Sequence, residues 1–185
     1  MLDYKSIAEG ARSFYNLGML RVHEPEQYPM GHSVVPLYVN MAFACELYMK
    51  ALILFGKPEM TKEELKKLRH RLDDLFEALP PLIKDEIKKQ FNDQSIQERQ
   101  KEKTSLYQSF LLSDAPDDEK DMIRQCIQQN AASFDEMLRN HASTFEDWRY
   151  YYEAVDGRYV SCDEWFLYSF ATALHNAMVK IMNPS

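Results

Sequence analysis

The sequence predicts an all-α protein, an up-and-down-like helical bundle of three to five main helices with short helices between them. Apolar residues recur at three- and four-residue spacing in most of the long segments, as in helices that are buried on one side. Only 5 of the 185 residues are glycine, whereas sandwiches and barrels usually need more glycine for their turns. No segment alternates convincingly between apolar and polar residues, and 159–161 is the one weak candidate for a strand.

Composition and charge narrow the class of protein. Hydrophobic residues make up 45% and charged residues 28% of the chain, which is typical of a single globular domain, here 1–185. The net charge of −7 disfavours non-specific binding to nucleic acids or membranes, although it leaves room for a local basic site. The cysteines Cys45, Cys126 and Cys162 have no metal-ligand spacing, and the charged N-terminus lacks the apolar core of a secretion signal. We therefore expect a cytoplasmic protein with reduced thiols and with neither a metal site nor a cofactor.

The N-terminal third contains two helix signals. Residues 3–20 have an amphipathic pattern, and 21–32 contains two prolines and a glycine, which predicts a loop. Ser33 is a candidate N-cap for a long helix that ends near Phe55, where Gly56 provides a stop signal.

The apolar run 34–55 is long enough to raise the question of a membrane span. Asn40, Glu46 and Lys50 interrupt it, and ionisable groups in the middle of a span are costly in lipid. Apolar residues lie on nearly all faces of the predicted helix, so we expect it to form the core of the bundle and to contact no membrane.

Local signals continue into the middle of the chain. Thr61 and Glu64 have the spacing of a capping box and predict a short helix. A second stripe at 72–79 ends before Pro81, which predicts the start of the next helix. The polar stretch 92–105 is then either a flexible inserted segment or an exposed helix.

The C-terminal part has two helical regions. After a break at 113–118, the pattern over 119–153 is helical throughout and predicts one long helix or two nearly collinear ones. A turn-rich link at 154–163 follows, and Asp163 is a candidate cap for a last helix with an apolar stripe over 165–181.

Three segments are similar to motifs of a known family: 40–52 (NMAFACELYMKAL), 70–76 (HRLDDLF) and 145–153 (FEDWRYYYE). They look like the E-L-Y-x-K-A-L, G-H-x-L-x-x-L-F and F-x-x-W-R-Y-x-Y-E segments of the HEPN superfamily. Arg69 stands where the second motif has glycine. The chain thus resembles this superfamily of small helical bundles over about residues 35–180.

The resemblance implies a bundle that forms homodimers through its long helices. It also implies one of two activities: a metal-independent ribonuclease of toxin–antitoxin, phage-defence or CRISPR systems, or a non-catalytic module that binds RNA or nucleotides. Active members carry an Arg and, after four to six intervening residues, a His. In that chemistry the His activates the RNA 2′-hydroxyl or protonates the leaving oxygen, and the Arg stabilises the charge on the phosphate.

No arginine in this chain has a His at the required distance. Arg139 is the nearest match to the motif, but His141 is too close to it, and the required positions 144–146 hold Thr, Phe and Glu. This departure favours a non-catalytic or degenerate module that binds RNA or an antitoxin-like protein partner. Two alternatives remain: a ribonuclease that uses Arg139 with His70 or His141, within one chain or across a dimer, and a structural interaction domain without a nucleic-acid role.

Two further groups of residues are candidates for a polar site. Arg149 and Tyr150 have the chemistry to contact an RNA phosphate and a base, with Glu153 orienting the arginine. The simpler interpretation is that Arg149 and Glu153 form an i, i+4 pair on the helix surface. Glu46 and Lys50 form either a self-neutralising pair or a polar site in the bundle interior.

Simpler roles exist for the other candidates. His70 is also explained as a helix-end or carbonyl ligand, and His141 as a satisfied core histidine. The basic run 62–71 contains glutamates, so a solvated face is its simplest interpretation. The aromatic cluster 148–152 covers more than one helical face and favours a homodimer contact.

Overall fold

The computed structural model describes residues 3–20, 35–101, 108–109, 133–149, 161–162 and 164–183, and this part of the chain is an all-α bundle, as the sequence predicts. Its helices are α1 (Tyr4–Gly18), α2 (Val35–Gly56), α3 (Lys62–Lys67), α4 (Leu72–Glu77), α5 (Pro81–Lys101), α6 (Phe134–Asn140), α7 (Thr144–Arg149) and α8 (Glu164–Met182). A two-residue antiparallel pair joins β1 (Gln108–Ser109) to β2 (Ser161–Cys162). The four long helices α1, α2, α5 and α8 agree with the predicted number of main helices.

Local signals set several helix ends as predicted. At α3, the Thr61 hydroxyl accepts the Glu64 N–H at 3.3 Å while the Glu64 carboxylate accepts the Thr61 N–H at 2.8 Å, so the capping box is confirmed. Pro81 is the first residue of α5, where its missing N–H costs nothing. Asp3, which the sequence analysis did not single out, caps α1 by accepting backbone N–H groups of the first turn.

Aromatic contacts define the directions of neighbouring helices. Tyr4 meets Phe55 at 5.4 Å between ring centroids, and Phe14 meets Phe43 at 4.7 Å, so α1 runs antiparallel to α2.

A glycine at the end of α2, Gly56, permits the close approach of the residue that precedes α5. A Cβ on Gly56 would overlap Cγ of Pro80, so any side chain there would collide with the start of α5.

Helix α2 is the centre of the core, as predicted. The four consecutive residues 51–54 are all buried, which is only the case for a helix surrounded on every side. Helices α1, α4, α7 and α8 all pack on it. A second layer of rings, from Phe76, Phe91, Phe134, Phe166 and Phe170, fills the space between α4, α5, α6 and α8.

The same helix has the length and the apolar composition to cross a bilayer, and α2 alone passes that test within the described part of the chain. Yet 72% of its apolar window is buried against the rest of the bundle. The position of α2 in the core therefore accounts for its composition.

The first of the two alternatives for 119–153, one continuous helix, is wrong where the structure describes the chain. Helix α6 ends at Asn140, and residues 141–143 form a turn before α7 begins at Thr144. The carbonyl of Ala142 accepts the N–H of Leu72 at 2.9 Å, so a backbone group of this turn is used by α4. The remaining parts of the predicted helix, 119–132 and 150–153, lie outside the described residues.

Three other sequence predictions can be compared with the residues that the structure describes. Helix α5 continues to Lys101, so the polar stretch is helical backbone over 92–101, the second of its two alternatives. The weak strand candidate 159–161 overlaps β2 at one residue. The loop 21–32 and the candidate caps Ser33 and Asp163 are not among the described residues.

Candidate functional site

A buried carboxylate on α2 organises the candidate site. The exposed fraction of Glu46 is only 2%. One of its oxygens, Oε1, accepts a hydrogen bond from Nζ of Lys50 at 2.7 Å, and the other, Oε2, lies 2.9 Å from Nδ1 of His70. A buried charge is tolerated when it is paired and hydrogen-bonded, and here both oxygens have a partner. The predicted pair Glu46–Lys50 is thus joined by a third residue from the connection between α3 and α4.

Helix geometry explains the first two positions. Glu46 and Lys50 are one turn apart and share one face of α2. The Lys50 side chain is 13% exposed, so its aliphatic stem is covered while its amine reaches the carboxylate.

The turn that delivers His70 depends on an unusual backbone. Arg69 has φ of 53°, in the left-handed region that favours glycine, and its N–H donates to the carbonyl of Lys66 at 3.2 Å. For a residue with a side chain this conformation costs about 1 kcal/mol. It reverses the chain after α3, so that His70 points back to Glu46 before Leu72 begins α4.

The carboxylate determines how the imidazole of His70 is used. A carboxylate oxygen only accepts, so Nδ1 of His70 is the donor in this bond. The His70 side chain is 43% exposed, and Nε2 has no hydrogen-bond partner among the described residues. The ring of Phe145 lies 5.5 Å away. An imidazole held through Nδ1 by a buried carboxylate, with Nε2 unoccupied, has the arrangement of a general acid–base group.

Three exposed cations lie next to His70 in the sequence. Lys66, Lys67 and Arg69 are exposed and make no ion pair within the described part of the chain. We call these three residues together with His70 the His70 surface. The carboxylate of Glu64, on the same helix, accepts hydrogen bonds from Thr61 in the capping box. The bond from the Thr61 N–H is the largest cause of the lowered pKa of Glu64, and the charge of Lys67 is a smaller one.

The positive character ends at Arg71. Its guanidinium donates to Asp73 at 2.7 Å and lies 3.4 Å from Asp74. The hydrogen bond to Asp73 is the main reason that the pKa of Arg71 is raised, and Glu146 adds to it. Arg71 is thus already neutralised and is not part of the His70 surface.

The other two candidate catalytic residues lie at the end of α6. Arg139 is exposed, and its Nε donates to the carbonyl of Asp135 in its own helix. His141 is buried, and its Nδ1 donates to the carbonyl of Met137 at 2.7 Å. The imidazole also packs at 4.7 Å on Phe166. Its environment is that of a satisfied core histidine.

The predicted nucleic-acid residues are only partly described. Arg149 is the last residue of α7, and nothing of its side chain is described. Tyr150 and Glu153 lie outside the described residues.

The structure also brings together a group that the sequence analysis missed. His175 on α8 lies 2.8 Å from the hydroxyl of Tyr48, measured at Nδ1, and stacks on the ring of Tyr15. Burial and, after it, the charge of Arg12 lower the pKa of this histidine. The only signal in the sequence is a polar residue inside the apolar stripe of α8, because the partners come from helices far away along the chain.

No group of three or more His, Cys, Asp or Glu side chains in the described ranges is arranged to hold a metal ion. Comparison of the chain with protein-family models, with curated proteins and with solved structures finds no match.

Proposed function

We propose that the protein is a HEPN-like, non-catalytic module that binds RNA at the His70 surface. The observation that carries this proposal is the set of three exposed cations, Lys66, Lys67 and Arg69, which make no ion pair with any described residue and lie next to a half-exposed imidazole. Unpaired cations attract phosphates, which supply most of the affinity in non-specific RNA binding. Several other lysines of the bundle differ in this respect: Lys84, Lys88 and Lys180 are each paired with a carboxylate.

A net charge of −7 is compatible with such a surface because electrostatic interactions are local in salt solution. At physiological ionic strength the screening length is about 8 Å, so carboxylates on distant faces contribute little.

The backbone of Arg69 supports the resemblance on which the proposal partly depends. Arg69 replaces the glycine of the G-H-x-L-x-x-L-F motif, and it has a left-handed φ of 53°. A motif prefers glycine at such a position for this reason. The resemblance adds three elements to the proposal: a homodimer, an antitoxin-like protein partner, and a setting in phage defence or a toxin–antitoxin system.

The surroundings of His141 support a binding role over catalysis at Arg139. His141 is buried and uses Nδ1 for the carbonyl of Met137, so it offers no exposed base beside Arg139.

Fluorescence anisotropy of a labelled single-stranded RNA tests the proposal. The triple variant K66Q/K67Q/R69G removes three charges and keeps the left-handed turn. Because three cations no longer meet phosphates, the slope of log K against log salt should become shallower by about 2, and the affinity at low salt should fall by about tenfold or more.

The matched control is K5Q/K57Q/K89Q, which removes three exposed charges elsewhere. It should bind RNA nearly as well as the wild type. Equal losses in the two triple variants, or no binding by the wild type at low salt, would contradict the proposal.

The Glu46–His70 contact favours a second candidate, a metal-independent ribonuclease. Nε2 of His70 would take the proton of an RNA 2′-hydroxyl, and Glu46 would stabilise the imidazolium that forms. The 2′-oxygen would then attack the adjacent phosphorus and expel the 5′-oxygen, which takes up a proton from solvent while the imidazolium returns its proton to solvent. The products are a 2′,3′-cyclic phosphate and a free 5′-hydroxyl.

Cleavage assays in EDTA test this second candidate. The wild type should cleave a single-stranded RNA, and His70→Asn should reduce the rate by about a hundredfold or more. The control His141→Asn should retain activity in whatever fraction folds, since His141 is not the base. If the wild type releases no cyclic phosphate product, or if His70→Asn cleaves as fast, the ribonuclease is ruled out and the binding module remains.

A further inference from the structure

A second polar cluster lies where α1, α2 and α8 meet. Nδ1 of His175 is 2.8 Å from the hydroxyl of Tyr48. The Tyr15 ring stacks face to face on the imidazole, with centroids 4.8 Å apart and planes 9° apart. One hydrogen bond and one stacking contact, from two different helices, therefore hold the imidazole in a single orientation.

The buried tyrosine determines which nitrogen of His175 carries a proton. Tyr48 is 1% exposed, and His175 is its hydrogen-bond partner among the described residues. A buried hydroxyl that leaves its proton unused loses about 1 to 3 kcal/mol, so Tyr48 donates to Nδ1. A neutral imidazole that accepts at Nδ1 carries its proton on Nε2. Burial, followed by the charge of Arg12, lowers the pKa of His175 and favours this neutral form.

Two donors in this cluster have no acceptor within the described part of the chain. Nε2 of the half-buried His175 makes no hydrogen bond there, and Arg12 makes neither a hydrogen bond nor an ion pair. Arg12 lies one helical turn before Tyr15, on the same side of α1 as the ring that stacks on His175. Among the described residues, Arg12 is also the charged group that acts on the pKa of His175, and no carboxylate there does so.

The neighbouring hydroxyl groups are already engaged. Thr172 donates its proton to the carbonyl of Tyr168 at 2.8 Å, so its oxygen accepts the hydroxyl of Tyr15 at 3.0 Å. Tyr15 thus positions the imidazole and does not add a donor for a ligand.

We propose that Arg12 and Nε2 of His175 bind a small ligand through a phosphomonoester group. A guanidinium fork donates two parallel hydrogen bonds to phosphate oxygens, and the Nε2 proton supplies a third donor. A phosphomonoester dianion gains more from the guanidinium than a singly charged carboxylate or phosphodiester does. This site shares no residue with the His70 surface and does not depend on RNA binding there.

Nitrogen-detected NMR of the histidine rings in the full-length protein tests the proposal. Inorganic phosphate is the probe, and the chain has 5 histidines, which single substitutions assign. The ring nitrogens of His175 should shift and saturate with a dissociation constant in the millimolar range. Arg12→Gln should weaken binding by about tenfold, the effect of losing a charged hydrogen-bond donor.

Lys57→Gln is the matched control, because it removes one exposed charge outside the cluster that makes no ion pair with a described residue. It should bind phosphate as the wild type does. Methyl phosphate should bind like inorganic phosphate, whereas dimethyl phosphate and acetate should bind more weakly.

Three results would each overturn the proposal: no saturable shift at His175, unchanged affinity in Arg12→Gln with its far-UV circular dichroism intact, or equal affinity for acetate. RNA binding through the His70 surface is measured with different residues and a different ligand, so the failure of one proposal leaves the other intact.

Discussion

Nδ1 of His70 lies 2.9 Å from Oε2 of Glu46, a contact that ties the connection between α3 and α4 to the buried face of α2. Lys50 occupies the other carboxylate oxygen at 2.7 Å. The buried charge of Glu46 therefore holds together the core helix and the His70 surface.

Removing the carboxylate should destabilise the fold. We expect Glu46→Ala to lower the free energy of unfolding by about 3 to 5 kcal/mol, because it leaves the largely buried Lys50 amine without its partner. The double variant Glu46→Leu with Lys50→Met removes both charges and should recover most of this loss. Urea denaturation measures both. A double variant as unstable as the single one would mean that packing, and not the unpaired charge, dominates.

Replacing Arg69, which has a left-handed backbone conformation, by glycine should stabilise the fold. Because Arg69 has φ of 53°, we expect Arg69→Gly to raise the free energy of unfolding by about 0.5 to 1 kcal/mol. Lys67→Gly is the control, since Lys67 lies in α3 and glycine costs about 1 kcal/mol in a helix. Thermal denaturation should move the two midpoints in opposite directions. Destabilisation by both variants would count against strain at Arg69.

Two glycines provide a matched pair for the close approach of α2 and α5. A Cβ on Gly56 would collide with Pro80, so Gly56→Ala should cost about 1 to 3 kcal/mol. Gly10 lies within α1 and has open space where a Cβ would lie, so Gly10→Ala should stabilise by about 0.5 to 1 kcal/mol. Chemical denaturation of the two variants should give effects of opposite sign. If Gly56→Ala is neutral, Pro80 does not pack tightly on α2.

Stability should depend on pH through His175. Burial and, to a lesser extent, Arg12 lower its pKa in the folded state, so the unfolded chain binds the proton more readily. Its contribution is therefore complete above the ordinary histidine pKa of about 6.5 and is lost as the pH falls below it.

The measurement compares the wild type with His175→Asn at pH 7.5 and at pH 5. The difference in denaturation midpoint between the two proteins should shrink at the lower pH, because the wild type loses the contribution of the neutral imidazole. A difference that grows on acidification would mean that the folded state favours the protonated form.

Local sequence signals predicted the helix ends well. The Thr61–Glu64 capping box, the start of α5 at Pro81 and the end of α2 at Gly56 each depend on residues within one turn of the chain. The break at 141–143 was missed for the opposite reason. Periodicity continues through it, while the Ala142 carbonyl is used by Leu72 from another helix.

The contacts of the candidate site are likewise of two kinds, one visible in the sequence and the other not. The pairing of Glu46 with Lys50 follows from i, i+4 spacing and was visible in the sequence. The contact of Glu46 with His70 spans 24 residues, and that of Tyr48 with His175 spans 127 residues.

By itself the sequence determined the all-α class, several helix ends, the central position of α2 and one ion pair, because each is recorded in the spacing of nearby residues. Only the tertiary structure decided the partners of three histidines. His141 bonds the carbonyl of Met137, His70 bonds Glu46, and His175 meets the hydroxyl of Tyr48. Those partners are chosen by how separate helices pack, and packing brings together residues whose separation along the chain carries no record of the contact.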